Sequence, residues 1–405
     1  MSVMTLSRSP EGASPDPELA RGLLERARGL VPVLREREAA ANAARRVPGE
    51  TITDFADAGL FRVLQPRRYG GYELPAGVYC EISRILAEGC MSSAWVYGVI
   101  AVHNWQMALF DDRAAQDVWG VDTAVRISSS YMPVGKVRPV EGGYRLSGRW
   151  AFSSGSDHCD WVILGAVVPP HGDGTAGEPY NFLVPRSDYR VIDTWDTMGL
   201  CGTGSNDIVV EDAFVPFYRT IRERDMFHMR CPGHDVHDAA LYRMPFAQIF
   251  NRTVSMTSLG ALRRAATTFV AATREKRATY TGDRLARDTT IQQVVAEVER
   301  TLDELDLVAK RDVAELMERA STGDWPMQRR AELGCSTTTA VSRCVTEIDK
   351  IMTFSGGKAI YRGNVVQRAF LDIHCARAHV ANNPLPYARN LGAMHFGYDC
   401  ECLDI

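Results

Sequence analysis

The chain has 405 residues, of which 45% are hydrophobic and 24% charged, ordinary proportions for a folded protein of two to three domains. Its 46 Lys and Arg against 50 Asp and Glu leave a formal charge of −4, and that near-balance argues against a nucleic-acid or anionic-membrane surface, which needs clustered cations. Ten cysteines scattered over so long a chain do not make a disulfide scaffold, so reduced thiols and a cytoplasmic location are expected.

Residues 1–17 are rich in Ser and Pro and read as a loose tail, without the apolar stretch of a signal peptide. From Pro17 to Ala58 the pattern is helical, with Leu23, Leu24, Leu30, Val31 and Leu34 recurring at three- and four-residue steps. Pro48 interrupts it, and Thr51 or Thr53 is expected to cap the next helix. Arg67 to Gly71 carries turn chemistry, and residues 76–119 return to helix, apolar and rich in small side chains.

The character changes near residue 123. Val137–Val140 and Tyr144–Phe152 flank Glu141-Gly142-Gly143, a hairpin signal. Trp161–Val168 is the longest apolar run, a strand candidate far below the ~20 residues of a membrane helix. A Gly/Pro-rich loop spans 169–179, and Asn181–Pro185 and Ile208–Phe214 are further short strands. Beyond about residue 240 long helices resume. Ile291, Val294, Val295, Val298, Leu302 and Leu305 form an amphipathic stripe that Gly323 should end, and helices fit 327–354 and 365–381. The expected organisation is helical over 1–122, β over 123–235 and a helical bundle over 236–405. Neither a dinucleotide fingerprint after a strand nor a P-loop is present, which disfavours both nucleotide-binding folds.

Helices, a β insert and a four-helix bundle make the layout of the acyl-CoA dehydrogenase superfamily, and three segments carry the resemblance. Asp57 to Gly71 (DAGLFRVLQPRRYGG) looks like its N-terminal signature. Trp150 to Ser156 (WAFSSGS) resembles the strand on which the flavin lies. Phe354 to Gly357, with Gln367, Arg368 and Asp372, resembles its C-terminal flavin-contacting segment. Phe152–Trp161 (FSSGSDHCDW) and Thr194–Ser205 (TWDTMGLCGTGS) further resemble the oxygenase components of two-component, group D flavin monooxygenases, such as the 4-hydroxyphenylacetate and secosteroid phenol hydroxylases. The resemblance implies a mainly α fold with a small, barrel-like β domain, a homotetramer, reduced FMN or FAD delivered by a separate reductase, possibly by diffusion alone, and O₂ as co-substrate. It implies hydroxylation of a small aromatic or phenolic substrate through a C4a-hydroperoxide. N-oxygenation of an amine or amino sugar, acyl-CoA dehydrogenation and a non-catalytic flavin fold are the alternatives. The dehydrogenase alternative lacks its usual base: from 373 onward the acidic residues are Asp399, Glu401 and Asp404.

The resemblance also assigns residues. His103, alone in an apolar helix, would orient or deprotonate the substrate, as an imidazole titrating near neutrality can. Ser129, between Ser128 and Ser130, would hydrogen-bond the flavin near N5. Trp150, Phe152, Ser153, Ser154 and Ser156 would flank the flavin ring. Trp195, Thr203 and Ser205 would touch flavin or substrate, with Gly202 and Gly204 allowing close approach. Arg274 and Arg277 would meet the flavin phosphate; Gly356, Gly357 and Arg368 would meet a flavin held across a subunit boundary. Counting from Asp372 and His374, the place of a second substrate-facing histidine falls to Asn382, whose amide can orient a ligand but carries no proton at neutral pH. His374 and His379 are expected to cap or pack the last helix. The cluster Cys231, His234 and His237 matches no zinc spacing, nor does Cys400-x-Cys402, so no metal is expected.

Overall fold

The structure, a computed structural model, describes residues 16–170 and 177–399. Most of the N-terminal tail, the middle of the 169–179 loop and the Cys400–Cys402 pair lie outside them.

The N-terminal part holds α1 (Pro17–Ala44), α2 (Gly49–Asp57), α3 (Ala76–Ala87), α4 (Met91–Met107) and α5 (Asp112–Trp119). Asp16 starts α1 by accepting the Glu18 and Leu19 amides at 2.9 and 3.1 Å. Neither threonine caps α2, which starts at Gly49 directly after Pro48: Thr51 and Thr53 lie inside it, and Thr53 Oγ1 bonds back to the Gly49 carbonyl. Every residue of α4 is buried, so it is the central rod of the larger core.

The β part holds β1 (Ile127–Val140), β2 (Gly143–Ser153), β3 (Trp161–Val168), β4 (Glu178–Pro185), β5 (Arg190–Ile192), β6 (Asn206–Pro216) and β7 (Thr220–Arg222), in the spatial order β5-β6-β2-β1-β3-β4-β7. The expected hairpin joins β1 and β2, with Val140 opposite Gly143. β1 pairs in parallel with β3, and the register shifts between Ser130 and Gly135, where the strand passes from one half of the sheet to the other. Side chains of β2, β3, β4 and β6 feed one separate core, so the sheet folds over on itself.

A short α6 (Glu223–Phe227) follows β7, and the C-terminal part holds α7 (Phe246–Arg274), α8 (Thr289–Thr322), α9 (Met327–Ser355), α10 (Val365–Arg377) and α11 (Pro384–His395). Gly323 ends α8 in the left-handed region (φ 73°). α10 stops four residues before the predicted 381, because His379 caps a separate turn, Val380–Asn382. Among the described residues no helix is long and apolar enough to cross a membrane.

Candidate active site

The site is built where α4, the start of β1, the end of β2 and the segments after α10 meet. Trp95, Val99 and His103 recur every four residues on one face of α4. His103 is 1% exposed, and its Nδ1 lies 2.8 Å from the Ile127 carbonyl. A carbonyl only accepts, so Nδ1 carries the proton and Nε2 is left as a buried acceptor with no partner. Burial pushes this imidazole down to about 4, against the opposing Ile127 bond, so the ring is neutral.

Alternation along β1 sorts its three serines. Ser128 and Ser130 are buried and bonded toward β2, Ser128 receiving Ser153 Oγ at 3.2 Å and Ser130 donating to the Ala151 carbonyl at 2.7 Å. Ser129 shares the other face with Tyr131. That ring stands edge-on to His103 and to Phe246 and Phe250 of α7, and its hydroxyl donates to Gln106 Oε1 at 2.5 Å.

At the end of β2 the predicted residues separate. Phe152 is 60% exposed, holds a left-handed φ of 67° and meets the Trp195 ring edge-on at 6.2 Å. A large apolar side chain kept in solvent on strained backbone is a binding-surface feature. Trp150 differs from its neighbour: its side chain is fully buried in the β core, with the indole donating to the Gly165 carbonyl at 2.8 Å. Ser153 is likewise enclosed, by its bond to Ser128. Ser154, Ser205 and Thr203 form one hydroxyl chain: Trp95 Nε1 donates to Ser154 Oγ at 3.2 Å, and 2.7 Å links join Ser154 to Ser205 and Ser205 to Thr203. They hold the wall in shape rather than offering free groups. Ser156 Oγ is buried without a partner.

Beyond α10, Asn382 and His379 lie side by side in one turn, and His379 caps and packs as expected. Asn382 is fully buried, and its amide nitrogen donates to the Ala376 and Val254 carbonyls at 2.8 and 3.2 Å, tying the turn to α7. It anchors backbone. His379 instead packs edge-on against Trp95 and beside Phe250. Its Nδ1 accepts the Ala381 amide at 3.1 Å, so the neutral ring carries its proton on Nε2. Ring contacts thus run from His103 through Tyr131, Phe250 and His379 to Trp95. His379 therefore both caps the turn and adds its ring to the aromatic cluster, the second role being invisible until the ring contacts are placed. His374 does pack the helix, against Phe370 and Asp349.

The predicted cations part company. Arg274 is exposed at the end of α7, with no hydrogen bond or ion pair among the described residues. Lys276 Nζ donates to the Ser355 carbonyl at 2.7 Å, which brings this segment beside Gly356 (φ 72°) and Gly357. Arg277 is turned to the Gly282 carbonyl. Arg368 sits elsewhere, on α10, with Nη1 3.6 Å from Cys201 Sγ. Among the described residues no group of His, Cys, Asp or Glu is arranged to hold a metal; both ring nitrogens of His234 are taken, by the Cys231 amide and the Tyr242 carbonyl.

Acid should unfold this arrangement. Burial holds His103, His237 and His379 at about 4, below the ordinary 6.5. The unfolded chain therefore binds protons that the folded one refuses: their contribution is complete above pH 6.5 and is lost as pH falls toward 4. Asp372, pushed up to about 7 by burial, works the other way and offsets one of them. Calorimetry at about pH 5.5 in buffers of different ionisation heat should show net proton uptake on unfolding; net release would contradict the assignment.

Residues 252–384 match the family model described as acyl-CoA dehydrogenase, C-terminal domain. The chain is 37% identical to the oxygenase subunit HsaA of a flavin-dependent monooxygenase from Rhodococcus jostii (strain RHA1), over 89% of this chain and 94% of that protein. It is 31% identical to the oxygenase component of an FADH(2)-dependent resorcinol hydroxylase from Rhizobium sp. (strain MTP-10005), over 93% of this chain and 94% of that one. The crystal structure of 3-HSA hydroxylase from Rhodococcus sp. RHA1 superposes with a TM-score of 0.90 at 35% identity, covering 95% of this chain and 99% of that one.

Proposed function

Because the chain belongs to the oxygenase components of flavin-dependent monooxygenases on the acyl-CoA dehydrogenase fold, using reduced flavin and O₂, we propose that it hydroxylates a small phenolic substrate at the aromatic cluster that links His103 to His379. The observation that carries the reading is a pair of neutral imidazoles joined by one run of ring contacts through Tyr131 and Phe250: His103 offers a bare acceptor at Nε2, and His379 carries a donor at Nε2. A phenol hydroxyl both donates and accepts, and the rings of Trp95, Tyr131, Phe246 and Phe250 suit a flat aromatic body. An amine protonated at neutral pH finds no carboxylate among these residues.

The residues present fit a flavin. Exposed Phe152 and half-buried Trp195 supply an apolar wall, Ser156 Oγ an unpartnered buried hydroxyl, and Lys276, beside Gly356, with exposed Arg274 on the same segment, the cations for a phosphate. When bound, reduced flavin supplies the electrons that activate O₂. The protein's own work is positional. His103 Nε2 accepts the substrate hydroxyl's hydrogen bond and draws electron density toward the ring carbon to be oxygenated. Ser129 presents a hydroxyl on the same face, and the aromatic walls keep water out. We also infer the three-part division at residues 122 and 235, a homotetramer and a separate reductase partner; exposed Ile360, Tyr361, Val380, Leu385 and Phe396 on the C-terminal elements support burial against further copies.

The test supplies chemically reduced FMN or FAD, air and a panel of phenols, resorcinol among them, together with their methyl ethers and matched arylamines. Hydroxylation of phenols and silence on the ethers is the expected result. Equal turnover of ethers, or oxygenation of the amines at nitrogen, would overturn the phenol assignment.

A further inference from the structure

The segment between β5 and β6 carries Trp195, Thr203 and Ser205, and its shape turns on Leu200. Leu200 holds a φ of 52°, a backbone conformation that residues other than glycine rarely keep without support. Its carbonyl collects three donors: Trp195 Nε1 at 3.0 Å, Thr203 Oγ1 at 2.9 Å and the Thr203 amide at 3.1 Å. Its own amide leaves the segment altogether and donates to Asp372 Oδ1 of α10 at 2.6 Å.

The approach of the two elements is close. Gly199 lies so near α10 that a Cβ there would stand 2.4 Å from the Leu371 carbonyl oxygen. Asp372 is 1% exposed. The charges that face it come from three helices: Arg368 on α10, Arg264 on α7 and Glu38 on α1. Arg264 is already engaged by Glu38 and by the Gly89 carbonyl, and Arg368 reaches Cys201 Sγ. A carboxylate placed in a dry site costs much, and here it accepts a hydrogen bond from the Leu200 amide of the β part.

We propose that Asp372 is a positioning residue for the flavin-side wall: by holding the Leu200 amide it sets Trp195, Thr203 and Ser205 and, through the Ser205–Ser154 link, the strand end that carries Phe152. The assignment rests on the reading of Phe152 and Trp195 as flavin contacts. The strength of the hold depends on the charge of Asp372. An ionised carboxylate accepts an amide more strongly than a carboxylic acid does. Burial pushes Asp372 up to about 7, opposed by the Leu200 amide and Arg368. The grip should therefore tighten as pH rises through neutrality.

Two measurements test this. Hydrogen exchange of the segment 193–205 needs no flavin: Asp372→Asn should exchange faster at Leu200 than the wild type above pH 7 and like it below. Anaerobic equilibrium dialysis of reduced FMN and FAD should show wild-type affinity rising across neutrality, a flat profile for Asp372→Asn, and about tenfold weaker binding for Asp372→Leu, the loss of a charge-assisted hydrogen bond. If Asp372→Leu does not fold, the Asn variant carries both readouts. Exchange and affinity in Asp372→Asn that track the wild type at every pH would overturn the proposal. Phe152→Ala separates it from the site reading: if that variant binds flavin normally, the wall assignment fails, whereas weak binding there with a normal Asp372→Asn refutes the positioning role alone.

Discussion

His103→Ala is expected to cut hydroxylated product by roughly a hundredfold to ten-thousandfold, the usual range for loss of a general acid–base group, while reduced flavin continues to consume O₂. The asymmetry follows from geometry. His103 reaches the site from α4, with Nδ1 committed to the Ile127 carbonyl and Nε2 bare, and flavin contacts are proposed on other elements, at Phe152, Trp195 and Ser156. Its loss removes the group that orients the substrate and leaves the flavin wall standing, so the electrons should end in hydrogen peroxide rather than product. Assay of product and peroxide in the same mixture checks both halves. His103→Asn, which retains an acceptor but no basic nitrogen, should recover binding without recovering rate. Normal product yield in His103→Ala would remove this histidine from the mechanism.

Trp150 and Phe152 make the second large contrast, two residues apart on one strand. Trp150→Ala empties the β core between Leu146, Leu164 and Phe182 and strands the Gly165 carbonyl, at a cost of about 3–5 kcal/mol. Phe152→Ala removes a ring that is 60% exposed and outside either core, so stability should move by no more than about 0.5 kcal/mol. Flavin affinity should respond in the reverse order, falling for Phe152→Ala. Thermal melts and flavin binding of the two variants check the pair. A stable Trp150→Ala with impaired flavin binding would return Trp150 to the site.

The same strand shows how much was legible in the amino acids. The order of helix, sheet and helix, the hairpin at Glu141-Gly143 and the stop at Gly323 are local signals of period and turn chemistry, and the fold obeys them. The short edge strands β5 and β7 exist only through their partners β6 and β4, which no local pattern records. α11 also escaped, since its twelve residues carry two prolines and little periodicity. At the site, His103 stood out as a polar residue in an apolar helix. Trp150 and Ser153 were grouped with Phe152 because a motif gives adjacency along the chain; alternation alone would put Trp150 and Phe152 on one face, but the register shifts between Trp150 and Ser153 and the left-handed backbone of Phe152 turns its ring out, which no local pattern shows. Spacing locates the turn at Val380–Asn382 and its histidine cap, but that the Asn382 amide is spent on the Ala376 and Val254 carbonyls depends on how the turn meets α7 and α10, which spacing does not record.

The central claim is that His103 meets the hydroxyl of a phenol, and it can be tested without turnover. 4-Nitrophenol changes its absorption band on ionisation and on strong hydrogen bonding, so the bound dye reports what its hydroxyl touches. Titrated into the wild type at a pH where the free dye is mostly protonated, it should bind with its band displaced toward that of the phenolate. In His103→Phe, which fills the space with a ring that accepts no hydrogen bond, the band should return to the position of the neutral phenol. The same displaced band in both proteins would contradict the account.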